Sequence, residues 1–185
     1  MGKIVICPTT PIQDRIIESR EKLYRIALAW CGDEMLADDL VQETIASAMK
    51  NYKQLRDEKC LLGWVCSIMK NNWYRHLRKQ KNHDSIDDQH NMPSNDSGPF
   101  GKCLEMDIIK QVRIAVAELT LEQRQIISLV DLGELSYCDV AQALDIPVGT
   151  VMSRLHRARK NLLKKLEKNQ QQTVSVFRHM QIIEK

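Results

Sequence analysis

The chain has 185 residues and a formal net charge of +3; 43% of residues are hydrophobic, 28% charged and only 5% aromatic. This composition excludes disordered and collagen-like chains and fits one or two small soluble domains with aliphatic cores. No apolar run approaches the ~18 residues that a bilayer span needs, and Ile4–Cys7 is too short for a signal-peptide core, so a cytoplasmic location away from membranes is expected.

Met1–Pro11, with Pro8 and Pro11, lacks helical periodicity and reads as a loose arm. A helical pattern starts near Ile12, where Ile16, Leu23, Ala27 and Trp30 share a face with Tyr24 and Leu28 beside it. Gly32 is placed to end this helix and Asp33 to cap the next. The second helix, from about Glu34 to Lys53, has Leu40, Val41, Thr44, Ile45, Ala48, Met49 and Tyr52 as its buried stripe. Its N-terminal half carries Asp33, Glu34, Asp38, Asp39 and Glu43, with no Lys or Arg between Cys31 and Met49. Dipole compensation accounts for the first-turn acids. Asp39 and Glu43 lie deeper, and an acidic strip there suits a basic partner surface.

A polar segment, Gln54–Lys59, precedes a third helix from Leu61 to about Gln80, with Leu61, Trp64, Val65, Ile68, Met69 and Leu77 as its core. No acid occurs from Cys60 to His83, while Lys70, Arg75, Arg78, Lys79 and Lys81 are interleaved with Asn71, Asn72, Trp73, Tyr74 and His76. Cations hold phosphates, aromatics stack on unpaired bases and amides read base edges, so the mixture suits single-strand capture. Trp64 reads as core; Trp73 and Tyr74 fit either core or stacking.

Residues Lys81–Cys103 are rich in Asn, Asp, Ser, Gly and Pro and read as a flexible acidic linker. The second domain opens with a helix from about Leu104 to Glu118, using Ile108, Val112, Ala115 and Leu119 as its inner face. Thr120 caps a helix over Leu121–Asp131, which Gly133 stops. Ser136 caps a short helix carrying Val140, Ala141 and Leu144, and Asp145-Ile146-Pro147 breaks it. The last helix runs from Val148 through Lys165. Val148, Val151, Leu155, Ala158 and Leu162 form its apolar stripe. Gly149, Ser153, His156, Arg157, Lys160 and Lys164 stand opposite, flanked by Met152 and Arg154. A short helix, a Pro-containing turn and a basic second helix together read as a helix-turn-helix that enters a major groove. Asn169–Lys185 could be a tail, a packing segment or a partner-binding element.

The six cysteines form no C-x-x-C pair and no zinc-finger spacing, so reduced, mostly buried thiols are expected and neither metal nor cofactor. No nucleophile–base set or P-loop marks an enzyme.

The motifs carry a resemblance. Leu119–Arg124, Leu135-Ser136-Tyr137 and the run Ile146–Arg159 resemble region 4 of bacterial extracytoplasmic-function (ECF) sigma factors, the P-x-G-T-V-x-S-R-x-x-R-A-R run being long and specific. Ala37–Thr44 resembles the region 2 signature D-D-L-V-Q-E-T, and Trp64, Ile68 and Asn71 match its W-x-x-x-I-x-x-N pattern. One departure stands in the third helix, where Arg75 replaces the usual Asp. The resemblance covers about Ile12–Lys168. It implies an all-α protein of two small helical domains joined by a flexible linker: residues 12–80 as the region 2 domain, 81–103 as linker, 104–168 as the region 4 domain and 169–185 as a tail. It further implies that Asp38, Asp39, Gln42 and Glu43 face the clamp helices of the largest subunit of core RNA polymerase. Asn71, Asn72, Trp73, Arg75, Arg78 and Lys79 would engage the −10 promoter element, with Asn71 holding a flipped base and 53–59 as the loop that pockets it. Met152, Ser153, Arg154, His156, Arg157 and Lys160 would engage the −35 element. The linker would pass near the polymerase cleft, as an acidic nucleic-acid mimic or as a plain tether. Such factors are held inactive by anti-sigma factors. The V-G-T-V-M-S-R-L run is closest to the general-stress-response subgroup, whose antagonist is a small soluble helical protein. Two rival readings are a stand-alone helix-turn-helix regulator that ignores polymerase and a metal sensor or enzyme built on Cys60, Cys66 and Cys138.

Overall fold

A computed structural model describes the backbone of residues 11–83 and 103–183, and the side chains within 11–80 and 109–168. Residues 1–10 of the expected N-terminal arm, 84–102 of the expected linker and the side chains of the tail, of Cys103 and of Ile108 lie outside the described residues, while Pro11 begins a helix and residues 81–83 continue one.

Every regular element among the described residues is helical: α1 Pro11–Glu18, α2 Arg20–Cys31, α3 Glu34–Asn51, α4 Leu61–His83, α5 Cys103–Ala117, α6 Leu121–Ile127, α7 Tyr137–Leu144 and α8 Val148–Ile183. The single helix expected from Ile12 to Trp30 is broken at Ser19. Its hydroxyl donates back to the Ile16 carbonyl (2.7 Å), while its backbone N–H still reaches the Arg15 carbonyl at 3.1 Å and its carbonyl accepts from the Leu23 N–H at 3.0 Å. Gly32 closes α2 with φ +73, and its N–H donates to the Leu28 carbonyl at 2.9 Å. Asp33 then caps α3 by accepting from the Leu36 N–H at 2.7 Å. α3 ends at Asn51, two residues before Lys53, where a 3₁₀ turn over Tyr52–Gln54 takes over.

The first four helices pack in sequence, α2 on α3 and α3 on α4, around Ile16, Leu23, Ala27, Val41, Val65 and Met69. The later helices pack on α8, which takes α5, α6 and α7 along its apolar stripe of Val151, Leu155 and Ala158. Thr120 builds a reciprocal capping box with Gln123 at the start of α6. One expectation fails here. Val112 is 40% exposed, so Ala115 carries the inner face of α5, with Leu119 buried just beyond its end. Gly133 follows the last helical residue, as expected, at φ −82, and the positive φ falls on Glu134 (+56). Glycine is needed for space. A Cβ there would lie 2.5 Å from Leu135 Cδ1 and 2.7 Å from the Leu129 carbonyl oxygen.

Between α6 and Gly133 the helix widens into a π-helical turn, Ser128–Leu132, with the Gly133 N–H donating to the Ser128 carbonyl at 2.9 Å. This turn docks on α2, α6 also touches α2, and α7 lies against α4. The two helical groups therefore share one continuous buried core, from Ile16 through Ala158.

Candidate nucleic-acid interface

On α3 the buried face is Ala37, Leu40, Val41, Thr44 and Ala48, so Asp39, Gln42 and Glu43 are turned to solvent. Asp38 is half-buried at the edge of that strip, where Arg20 Nη2 (2.9 Å) and Gln42 Nε2 (2.9 Å) both donate to its carboxylate. Glu43 pairs with Arg75 of α4. Arg75 also donates to Asn72 Oδ1 at 3.1 Å. The acidic strip and the expected −10 helix are thus linked by one arginine, the residue that departs from the family pattern.

On α4, Asn71, Arg75, Arg78 and Lys79 are exposed on one side of the helix. Two members of the candidate −10 set are not. Trp73 is only 5% exposed and stacks on the His76 ring with 5.6 Å between centroids. Asn72 is equally buried, its amide directed at the Thr44 hydroxyl at 3.4 Å. Reading both as DNA contacts is corrected: they lie inside the fold, because α4 must turn this side toward its neighbours. The indole N–H of Trp73 has no hydrogen-bond partner among the described residues. Tyr74 is 38% exposed, and its hydroxyl reaches Gln125 Oε1 at 3.3 Å.

The helix-turn-helix forms as its sequence dictates. Ser136 caps α7, accepting from the Asp139 N–H at 3.2 Å. Asp145, at φ +57, turns the chain into Pro147, which starts α8 by accepting the Thr150 and Val151 N–H groups at its carbonyl. The apolar stripe of α8 is buried or half-buried, and Met152, Ser153, His156, Arg157 and Lys160 face solvent. Met152 stands 51% exposed, an apolar side chain among polar ones, as contact with a thymine methyl would require. Gly149 has nothing within 4 Å of where its Cβ would stand, so the first turn of α8 presents open backbone. Arg154 differs from its neighbours. It turns back to Glu122 of α6 at 3.2 Å, which makes it a brace for the reading helix as well as a phosphate candidate. Arg159 is paired with Asp131, whose hydrogen bond raises the guanidinium pKa further, and Lys165 with Glu118 at 2.9 Å. Among the described residues of α8, Arg157, Lys160 and Lys164 are exposed and make no ion pair, unlike Arg154, Arg159 and Lys165.

Cys31 and Cys66 have thiol pKa values pushed up to about 12, chiefly by burial, so they are protonated at neutral pH and poor nucleophiles. Cys138 is exposed rather than buried. Among the described residues no three of His, Cys, Asp and Glu converge as metal ligands would.

Residues 16–83 match Sigma-70 region 2, and residues 109–162 match Sigma-70, region 4. The chain is 30% identical over 154 residues to the ECF RNA polymerase sigma factor EcfG of Rhodopseudomonas palustris, covering 83% of this chain and 84% of that protein. It is 30% identical over 142 residues to the ECF RNA polymerase sigma-E factor of Haemophilus influenzae, covering 70% and 74%. Its fold is similar to that of the sigma factor RpoE from Bartonella quintana, solved in complex with the anti-sigma factor NepR. The TM-score is 0.74 at 24% identity, over 86% of this chain and 98% of that one.

Proposed function

We propose a division of labour for a chain that belongs to the ECF sigma factors of the sigma-70 family: α3 holds core RNA polymerase, α4 opens the −10 element and α8 reads the −35 element. The observation that carries this reading is a segregation of charge. One chain offers an exposed acidic strip at Asp39, Gln42 and Glu43 and, on another helix, a cationic front free of acids at Ser153, His156, Arg157 and Lys160.

The acidic strip docks on the basic clamp helices of the largest polymerase subunit, with Asp38 held ready by Arg20. Asn71 receives a flipped base of the non-template strand, while Arg75, Arg78 and Lys79 hold its phosphates. On α8, Met152, Ser153, His156 and Arg157 approach base edges and Lys160 a phosphate. Each bidentate base contact contributes about 1–3 kcal/mol of discrimination, and the phosphate contacts make binding steeply salt-dependent. The factor supplies position and strand capture, and polymerase performs the chemistry, so the chain itself is not an enzyme.

An anti-sigma factor controls it. The V-G-T-V-M-S-R-L run and the likeness in fold to a sigma factor crystallised with NepR support placing it in the general-stress-response subgroup, with a small soluble helical antagonist. No helix among the described residues is long and apolar enough to cross a membrane, in keeping with action in the cytoplasm.

The test is in-vitro transcription with purified core polymerase on a genomic promoter library. Wild type is run beside the Asp39→Arg/Glu43→Arg double variant and Arg157→Ala. Transcripts that need the protein and weaken in both variants are expected. Tight binding to duplex DNA without any transcript would instead make it a stand-alone regulator.

A further inference from the structure

Arg75 stands apart from the other cations of α4. Its Nη2 donates both to Glu43 Oε1 on α3 and to Asn72 Oδ1, the second at 3.1 Å. Asn72 is itself fixed. It is buried, and its amide reaches the Thr44 hydroxyl at 3.4 Å, which in turn donates to the Leu40 carbonyl at 2.7 Å. The guanidinium is therefore tied to the packed faces of α3 and α4 at one nitrogen, while 48% of the side chain stays open to solvent. Arg78 and Lys79, exposed on the same helix, make no ion pair among the described residues.

These differences separate two kinds of contact. A phosphate is held chiefly by charge, and a long, unpaired cation suits it. Arg75 offers less net charge, because Glu43 offsets it, and more direction, because two acceptors already fix its orientation. Preorganisation of this kind favours a contact that depends on angle. Both anchoring bonds use Nη2, so the three N–H groups on Nε and Nη1 are not spent on them. A guanidinium has donors and no acceptor. It fits a base edge that only accepts and is mismatched with one that presents an amino group. Guanine, through O6 and N7, is the first kind; adenine N6 and cytosine N4 mark the second, and thymine offers only O4 beside its methyl group. The aspartate usual at this position in the sigma-factor pattern has the opposite polarity, since a carboxylate only accepts. Placement agrees. Arg75 follows Asn71 by four residues, so the two lie within about 40° on the helical wheel and ~6 Å along the axis, about two steps of a stacked strand at ~3.4 Å each.

We propose that Arg75 is a specificity-determining residue, which reads a guanine of the opened non-template strand close to the base that Asn71 receives. Glu43 and Asn72 act through it as positioning residues, holding the guanidinium to one orientation. The inference rests on the sigma-factor reading and deepens it, adding base discrimination to the phosphate contacts of Arg78 and Lys79.

The test loads core polymerase with the full chain and offers it single-stranded DNA with a randomised central segment; the captured strands are sequenced. Wild type should enrich guanine over adenine and cytosine by roughly fivefold or more at one fixed position of the captured motif, the low end of what a good base contact contributes. Arg75→Gln should reduce that preference to less than about twofold, and Arg75→Asp should move the position towards cytosine, whose N4 donates to a carboxylate. Arg75→Asp sets a second carboxylate beside Glu43, so Arg75→Gln carries the test if that protein folds poorly. Arg78→Gln is the contrast: it should lower total capture and the salt slope by about one without moving the base profile. A change in which base is captured, rather than in how much DNA, is a readout that a phosphate contact or a purely structural role would not move. Strands captured by wild type without a guanine preference, or with one that the Arg75 variants keep, would overturn the proposal and leave the sigma-factor reading standing. If the wild-type complex captures no more DNA than core polymerase alone, the sigma-factor reading has failed and the proposal falls with it.

Discussion

Replacing Trp73 should cost stability, whereas replacing Asn71, two residues away, should cost promoter opening. Trp73 is 5% exposed. An indole side chain buries ~150–250 Å², worth about 4–6 kcal/mol at ~25 cal/mol per Å². Trp73→Ala should then destabilise by about 3–5 kcal/mol, a large part of the ~5–15 kcal/mol that holds a typical domain folded. Trp73→Phe keeps a ring in the core and removes an indole N–H that has no partner, so its cost should be only about 1–2 kcal/mol. Asn71 is exposed, and Asn71→Ala should change stability by less than ~0.5 kcal/mol. Its lost base contact should cost about 1–3 kcal/mol in promoter opening. Urea unfolding followed by circular dichroism gives the first quantity. Fluorescence of 2-aminopurine placed in the −10 element, with polymerase present and the folded fraction matched, gives the second. A Trp73→Phe protein with an unchanged urea midpoint and no promoter opening would refute the argument, because Trp73 would then be acting on DNA.

The glycines should separate by the space around them. Gly133→Ala should destabilise by about 1–3 kcal/mol through overpacking against the Leu129 carbonyl, while Gly149→Ala, in open space within a helix, should raise the melting temperature by up to about 1 kcal/mol equivalent. Arg157→Ala should weaken −35 binding with the urea midpoint unchanged, whereas Arg159→Ala, which breaks the pair with Asp131, should leave base preference intact; competition binding against substituted −35 duplexes reads both. Lys22 lowers the Glu134 pKa by hydrogen bonding and then by charge, so this exposed pair adds a little stability above the ordinary carboxylate range and loses it as pH falls through the lowered pKa; Glu134→Gln should flatten that part of the urea midpoint's pH dependence.

The second domain was legible because its signals are local. Ser136, Pro147 and the spacing of Val151, Leu155 and Ala158 each specify their structure within a few residues, and the helix-turn-helix formed as they require. The candidate −10 set could be sorted from the sequence only in part. Cations, amides and aromatics interleave along Lys70–Lys79, but at 100° per residue Trp73 falls about 200° from Asn71 and Asn72 about 100° away. The wheel separates them where the linear string does not. Arg154 and Arg159 look alike in a row of basic residues, and only tertiary pairing with Glu122 and Asp131 distinguishes them from Arg157. Ile26 was absent from the expected core, although it is fully buried. It lies on the second stripe of α2, whose partner, the π-helical turn, is about a hundred residues away in sequence. No pattern within α2 announces a partner that distant.

That two-sided helix gives the junction between the two helical groups a thermal signature. Ile26 and Trp30 are buried there, and apolar attraction of this kind weakens on cooling. The junction should therefore loosen in the cold before either helical group unfolds, and hydrogen exchange of the α2 and α6 amides, followed downward from the physiological range, would register it.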